Sequence, residues 1–123
     1  MNSIDSIVQQ KEEEIYTELV GLRHEIHANP ELSGQEKETA ELVAKTLERW
    51  GISYERVPDS SAILAEIRGE IHGESHCIAL RADMDALPLT ENTGLSYRSK
   101  RSGIMHACGH DLHTVNLLGS GYV

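Results

Sequence analysis

The sequence predicts an α/β fold, a mixed β-sheet flanked by helices, and three observations support this class. Two segments near the N-terminus carry apolar residues at helical spacing, three short segments in the middle are β-prone, and another helical segment follows them. Helices before and after a sheet are typical of layered α/β structures. A length of 123 residues suits one domain.

The first predicted helix runs from about Asp5 to Ala28. Its apolar face repeats at steps of four, three and four residues, through Ile15, Leu19, Leu22 and Ile26. Pro30 requires the helix to end, because the residue before a proline is disfavoured in the helical conformation. His24 and His27 lie three residues apart on this helix. We expect both to be solvated residues of the helix surface.

A second helix is predicted to follow residues 33–36, whose Ser-Gly-Gln-Glu order has the spacing of a capping box. One apolar face follows, formed by Ala40, Val43, Leu47 and Trp50. Gly51 then supplies a left-handed end to this helix.

Three strands are predicted after the second helix, at residues 52–57, 62–67 and 77–80. The second and third are separated by residues 68–75, which contain two glycines and suit a hairpin. The third segment, Cys-Ile-Ala-Leu, is apolar on both faces. That pattern is typical of a strand buried in the centre of a sheet.

The C-terminal part predicts a loop and then a helix. Residues 86–107 show little periodicity, so we expect a long ordered loop, and loops of this length in compact domains usually carry function. The third helix is predicted from about Asp111 onward. Its apolar residues are Val115, Leu117 and Leu118.

Charge and hydropathy exclude several classes of partner. The net charge of −9, from 11 basic and 20 acidic residues, disfavours nucleic acid, because binding to phosphates needs clustered Lys and Arg. No stretch approaches the roughly 18 consecutive apolar residues of a transmembrane helix, so no membrane partner is expected. The N-terminus lacks a secretory signal pattern, and the expected location is the cytoplasm. A reducing compartment disfavours a disulfide between Cys77 and Cys108.

Residues 105–114, Met-His-Ala-Cys-Gly-His-Asp-Leu-His-Thr, concentrate five potential metal ligands within eight positions. Imidazole, thiolate and carboxylate are the groups that zinc-class divalent metals choose. Cys108 and His110 are two residues apart, so they share a face of an extended loop, and Gly109 allows a positive φ that helps them converge. A metal site is predicted. Since five groups cannot all bind one ion, the pattern alone leaves the ligand set open.

Other interpretations of this segment are less favoured. The histidines would have no ligand role in a polar loop, and Cys108 would then be a small buried apolar residue. A structural zinc finger would need a second ligand pair, for which His76 and Cys77 are the only candidates. A Cys/His nucleophilic dyad normally joins residues distant in sequence. A redox sensor based on Cys108 is the remaining alternative.

Residues 81–85, Arg-Ala-Asp-Met-Asp, follow the strand predicted at 77–80. In open α/β sheets, ligands bind outside the carboxyl ends of strands, which is where Asp83 and Asp85 would lie. In an extended chain both carboxylates point to the same side. The motif is short, and an equally good interpretation pairs one carboxylate with Arg81 while the other caps the loop.

Three motifs, in this order, resemble those of one family. They are Leu-Arg-His-Glu-Ile-His with Asn-Pro-Glu-Leu within 22–32, Leu-Arg-Ala-Asp-Met-Asp-Ala-Leu-Pro at 80–88, and Met-His-Ala-Cys-Gly-His-Asp at 105–111. The family is that of the N-acyl-amino-acid amidohydrolases, which includes hippurate hydrolases and auxin-conjugate hydrolases among the two-metal aminoacylase-type peptidases.

The resemblance implies a hydrolase that cleaves the amide bond of small N-acyl amino acid substrates, with metal-assisted attack by water and a glutamate as general base. It implies Cys108 and His110 as metal ligands. It also implies Asp83 as the catalytic carboxylate, which would orient a ligand or tune the metal. The cofactors implied are divalent ions, two in a complete site, of zinc, manganese, cobalt or nickel.

In the family, the general base, the remaining ligands and a smaller lid and dimerisation domain lie beyond these motifs. The resemblance therefore implies that residues 1–123 are the N-terminal portion of the catalytic domain, inactive alone. A homodimer is expected only in a full-length enzyme. Exposed apolar surface is expected as well. The alternative is a non-catalytic metal-binding or interaction module that reuses the fold.

Overall fold

The structure is a computed structural model that describes residues 3–70, 73 and 76–123. Its elements, in chain order, are α1 (Ile4–Ala28), α2 (Lys37–Arg49), β1 (Ser53–Arg56), β2 (Ile63–Glu66) and α3 (His110–Tyr122). The predicted α/β class is confirmed. In the described part of the chain, the two strands form one antiparallel sheet.

Helix α1 has the predicted bounds to within one residue at its start. Ser3 caps its N-terminus, where the side-chain oxygen accepts the backbone N–H of Ser6 at 3.3 Å. The predicted apolar face is buried at Ile15, Leu22 and Ile26. The helix ends at Ala28, and Asn29 forms the C-cap directly before Pro30, as the proline requires.

Helix α2 begins at Lys37, but its N-terminal cap differs from the prediction. Ser33 is exposed and provides no cap, whereas the buried carboxylate of Glu31 accepts the N–H groups of Glu38 at 3.1 Å and Thr39 at 2.7 Å. Burial raises the pKa of Glu31, but these hydrogen bonds outweigh burial and hold it below the usual value. The predicted capping box is therefore wrong, because a carboxylate reaches two free N–H groups where a hydroxyl would satisfy one.

The hairpin joins β1 and β2, not the pair of segments predicted to form it. Ser53 lies opposite Glu66 and Arg56 opposite Ile63, and the N–H of Val57 donates to the carbonyl of Ala62 at 3.0 Å across the turn. The predicted strands at 52–57 and 62–67 are thus confirmed, with their pairing corrected.

The predicted buried strand at residues 77–80 is wrong. This segment carries no strand pairing, and Ile78 and Leu80 are 85% and 68% exposed. A central strand needs a hydrogen-bonded neighbour on each side, and the described residues provide only the β1–β2 pair. Of the connection predicted at 68–75, residues 71, 72, 74 and 75 lie outside the described residues.

Helix α3 confirms the third predicted helix and packs between the other two. Val115 contacts Leu22 and Ile26 of α1, and Leu118 joins a second cluster with Leu47 of α2. The core therefore lies around α3, which fixes the position of its N-terminal turn.

The predicted loop at 86–107 is ordered by pairing between its two ends and with the segment that follows α1. Leu87 and Met105 exchange backbone hydrogen bonds of 2.9 and 3.0 Å, and the N–H of Ala86 donates to the carbonyl of Glu31 at 2.7 Å. These bonds hold the preceding residues, 81–85, beside the start of α3.

An open groove runs between α2, the hairpin and α3. Its exposed apolar side chains include Leu64, Ile67, Ile78 and Leu80. The expected exposed apolar surface is confirmed. Over the ranges that the structure covers, no helix has the length and hydropathy that a bilayer crossing requires.

Candidate metal centre

The two predicted ligands flank the turn that begins α3. Gly109 has a φ of +87°, in the left-handed region that favours glycine, and this turn leads from the loop into the helix. Cys108 is an exposed free thiol, so the interpretation as a buried apolar cysteine is wrong. The His110 side chain is 20% exposed. Both side chains can therefore be reached by an ion from solvent.

Asp85 fixes the imidazole of His110. The Nδ1 atom of His110 lies 2.9 Å from Oδ1 of Asp85 and 3.0 Å from the Asp85 carbonyl oxygen. Both partners are acceptors, so Nδ1 carries the proton and donates, and the lone pair belongs to Nε2. A carboxylate that holds one ring nitrogen in this way orients the other for a metal.

Asp83 has a different partner. Its carboxylate accepts from Arg81 at 2.7 and 3.1 Å, and the hydrogen bond and charge of Arg81 lower its pKa. Its carbonyl oxygen accepts from the Thr114 hydroxyl of α3 at 3.1 Å. The interpretation that pairs one carboxylate with Arg81 is thus confirmed for Asp83. The carboxylate contact with the predicted ligand belongs to Asp85.

A buried ionic network lies behind these residues, and the prediction for His27 missed it. His27 is 3% exposed, so the expectation of a solvated residue is wrong. Its Nδ1 lies 2.8 Å from Oδ2 of Asp111, and its Nε2 lies 3.0 Å from Oε1 of Glu91. Nε of Arg23 donates to the same Asp111 oxygen at 3.0 Å.

Both carboxylates of this network stay ionised. Burial raises the pKa of Glu91, but hydrogen bonds from Thr93, Ser99 and His27 outweigh it and hold the value at about 2. The pKa of Asp111 is also lowered, since burial is outweighed by the His27 hydrogen bond and the nearby positive charges. The network therefore contains two anions that face basic groups.

Tyr97 covers the exposed side of the network. Its hydroxyl accepts from Arg23 at 2.7 Å, and its ring stacks on that of half-buried His24 at 3.8 Å between centroids. One sequence signal could have indicated this arrangement: Arg23 and His27 are four residues apart, beside the buried face of α1, where basic groups need acidic partners.

The remaining histidines of the 105–114 segment have contrasting positions. His106 is 4% exposed and neither ring nitrogen has a hydrogen-bond partner among the described residues, so it is no solvated loop residue. Burial lowers the pKa of His106. His113 is exposed, with its ring centroid 6.0 Å from that of His110.

The predicted ligand pair combines two kinds of donor atom. Cys108 and His110 supply sulfur and nitrogen, which suit zinc-class ions. Within residues 3–70 and 76–123, no three His, Cys, Asp or Glu side chains form a group that could hold a metal ion. The candidate second pair of a zinc finger, His76 and Cys77, belongs to no such group either.

Known proteins are similar to this chain in sequence and fold. Residues 79–123 match the model of Peptidase family M20/M25/M40. The chain is 48% identical over 106 residues to an N-acetyl-L-cysteine deacetylase of Bacillus subtilis, covering 86% of this chain and 25% of that protein. It is 44% identical over 119 residues to the hippurate hydrolase of Campylobacter jejuni, covering 96% of this chain and 29% of the relative.

A solved structure gives the same result for the fold. A dinuclear metal-binding peptidase of the M20 family from Bacillus subtilis superposes with a TM-score of 0.83 at 42% identity, covering 89% of this chain and 30% of that one. The chain therefore spans between a quarter and a third of the length of these proteins.

Proposed function

We propose that this chain, a relative of the N-acyl-amino-acid amidohydrolases of peptidase family M20/M25/M40, provides the first ligand pair of their metal-dependent hydrolytic site. Residues 1–123 correspond, in this proposal, to the N-terminal portion of the catalytic domain. The substrates are small N-acyl amino acids, which the names of the deacetylase and the hippurate hydrolase support. The ions are divalent zinc, manganese, cobalt or nickel.

The observation that carries the proposal is the contact between Asp85 and His110. Because the Asp85 carboxylate accepts a hydrogen bond from Nδ1, the proton stays on Nδ1 and the lone pair of Nε2 is available for a cation. The same hydrogen bond holds the ring against rotation. The exposed thiol of Cys108 lies directly before Gly109 and His110 directly after it, so a soft and a borderline donor flank the same turn. A divalent ion held there would act as a Lewis acid toward an amide carbonyl.

Asp83 supports the site from the neighbouring segment in this proposal. Its backbone carbonyl binds the Thr114 hydroxyl of α3, so the 81–85 segment is fastened to the helix that carries His110. Its ionised carboxylate adds negative charge near His110 and His113, which favours a cation. We keep Asp83 as the proposed catalytic carboxylate on this basis.

Titration of the chain with Co²⁺ tests the ligand pair. A thiolate bound to Co²⁺ gives a near-ultraviolet charge-transfer band, and the wild-type chain should develop it. Cys108→Ser should lose the band, whereas Cys77→Ser, which removes the other exposed free thiol, should keep it. Loss of the band in Cys77→Ser alone would transfer the site away from Cys108.

The rival function is a metal-binding or interaction module without catalysis. It is supported by the absence, among the described residues, of a group of three ligand side chains. Hippurate separates the two. In the enzyme proposal, hippurate should perturb the visible spectrum of the Co²⁺-loaded chain more than acetate does at the same concentration, since acetate alone can fill any open position that two donors leave. The same sample should release no glycine, since the described residues supply no further ligands. Equal changes with hippurate and acetate would favour the non-catalytic module.

A further inference from the structure

We propose that Glu91, His27 and Asp111 form a positioning brace that sets the direction of the Cys108 and His110 side chains. The inference rests on the proposed function, because it assigns these three residues to the same metal pair. None of the three is offered as a metal ligand. The brace joins three separate parts of the chain, namely α1, the long loop and the first turn of α3.

Hydrogen bonds to two carboxylates link the members of the brace. An ionised carboxylate can only accept, so a ring nitrogen that bonds to it must donate. Both nitrogens of His27 face carboxylate oxygens, so the ring bridges Asp111 and Glu91. Arg23 adds a cation beside the Asp111 carboxylate, so two basic side chains of α1 contact the two buried carboxylates. Removing one partner would leave a buried charge uncompensated.

The brace acts at the residue next to the metal pair. Asp111 follows His110 directly, is 1% exposed, and is held by Arg23 and His27 of α1. A shift of its carboxylate would rotate the first turn of α3, and the His110 ring would move with it. The position of α1 thus affects the orientation of the His110 ring, in addition to the contact with Asp85.

Glu91 is the point from which the brace is best perturbed. Its side chain is 2% exposed and is fixed by the N–H of Ser99 and the hydroxyl of Thr93, each at 2.6 Å. Glu91 reaches Asp111 through His27. It also reaches the carbonyl of Ile104 through Ser99, on the loop that leads to Cys108. We attribute an effect at the first turn of α3 to the route through His27, because Asp111 lies in that turn.

Hydrogen exchange in the metal-free chain tests the brace without any metal. Glu91→Gln should accelerate exchange at the N–H of His113, which donates to the Gly109 carbonyl at 3.0 Å, by at least about tenfold. The N–H of Val57 in the hairpin turn should be unaffected. Equal rates in the variant and the wild type at His113 would overturn the brace.

Two control variants separate the brace from general effects. Glu12→Gln removes the same charge from an exposed position on α1, about 22 Å along the helix from His27. Glu31→Gln weakens the cap of α2 without touching the network. Both should leave exchange at His113 unchanged relative to the hairpin. If Glu12→Gln accelerates exchange at His113 as much as Glu91→Gln does, the effect is due to the lost charge and the brace is overturned. If Glu31→Gln does so, the effect is due to lost stability and the brace is likewise overturned.

Cobalt binding supplies the functional readout. Glu91→Gln should bind Co²⁺ about tenfold more weakly, at the lower end of the effect known for outer partners of metal ligands. A wild-type chain that binds no Co²⁺ would refute the proposed function. The exchange rates at His113 would still test whether the brace holds the first turn of α3. If Glu91→Gln does not fold, Thr93→Val, which removes one hydrogen bond to Glu91, must accelerate exchange at His113 for the brace to stand.

Discussion

The imidazole of His110 can bind a metal only through the nitrogen that its neighbours leave unprotonated. Asp85 determines that nitrogen, since its carboxylate and its carbonyl both accept from Nδ1. The carboxylate of Asp83, two residues earlier, accepts a hydrogen bond from Arg81. Two aspartates that look equivalent in the sequence therefore have different roles, and the difference lies in contacts made 25 residues away in the chain.

Replacement of Asp85 tests this division. Asp85→Ala should weaken Co²⁺ binding by about 10- to 100-fold, because the ring of His110 loses its orientation and its proton acceptor. Asp83→Ala is the matched control, and its effect on affinity should be several-fold smaller. Isothermal titration calorimetry measures both. Equal losses in the two variants would contradict the assignment to Asp85.

Glu91 gives a pH dependence of stability with a definite sign. Its pKa falls from the usual 4.5 to about 2 on folding, so its ionised form stabilises the folded chain above pH 4.5. This contribution should fade as the pH falls from 4.5 toward 2. The free energy of unfolding of Glu91→Gln should lie below that of the wild type at pH 6 and approach it near pH 2. A constant difference across that range would contradict the lowered pKa.

At the scale of elements, Glu31 links the end of α1 to the start of α2. Its carboxylate caps α2, and its carbonyl binds the N–H of Ala86 at the head of the long loop. One residue thus fixes the helix pair and the segment that leads from Asp85. The cap is not a local motif of the kind that Ser33 suggested.

Urea denaturation of two variants compares the observed cap with the predicted one. Glu31→Ala should lower the free energy of unfolding by about 1 to 2 kcal/mol, since it leaves two N–H groups of α2 without their acceptor. Ser33→Ala should change it by less than about 0.5 kcal/mol, as expected for an exposed side chain without such contacts. A larger loss of stability in Ser33→Ala than in Glu31→Ala would instead support the predicted capping box.

The helices could be predicted from the sequence because their signals are local. Apolar periodicity located the buried faces of α1 and α2, and Pro30 and Gly51 located their ends. The strand at 77–80 could not be decided in this way, since a strand depends on partners that its own residues do not specify.

Part of the candidate site was predictable for the same reason. The Cys108, Gly109 and His110 turn is encoded within three residues, and the positive φ of Gly109 is confirmed. The partners of His27 lie 84 and 64 residues away in sequence, so its helix could indicate that acidic partners are needed but could not indicate which ones. The network was found only after the fold brought α1, the loop and α3 together.

At the scale of the whole molecule, the open apolar groove is the main unpartnered surface in the described part of the chain. Its exposed side chains belong to the hairpin and to the 78–84 segment, which face α2 and α3 across it. Apolar patches of this kind mark surfaces that bind other protein segments or promote aggregation. The groove lies on the side of α3 that packs against α2.

Binding of a dye that fluoresces on apolar surfaces measures the groove. The double variant Ile78→Ser with Leu80→Ser should bind at least about twofold less dye than the wild type, because both side chains are largely exposed there. Ile4→Ser, which removes an apolar side chain that is 79% exposed outside the groove, should bind dye as the wild type does. Equal dye binding by all three chains would contradict an accessible groove.

X-ray absorption of the zinc-loaded chain tests the central claim, the Cys108 and His110 ligand pair, most directly. We predict one sulfur at about 2.3 Å and nitrogen at about 2.0 to 2.1 Å from zinc, with the sulfur lost in Cys108→Ser and retained in Cys77→Ser. A first shell without sulfur, or one that Cys108→Ser leaves unchanged, would contradict the account.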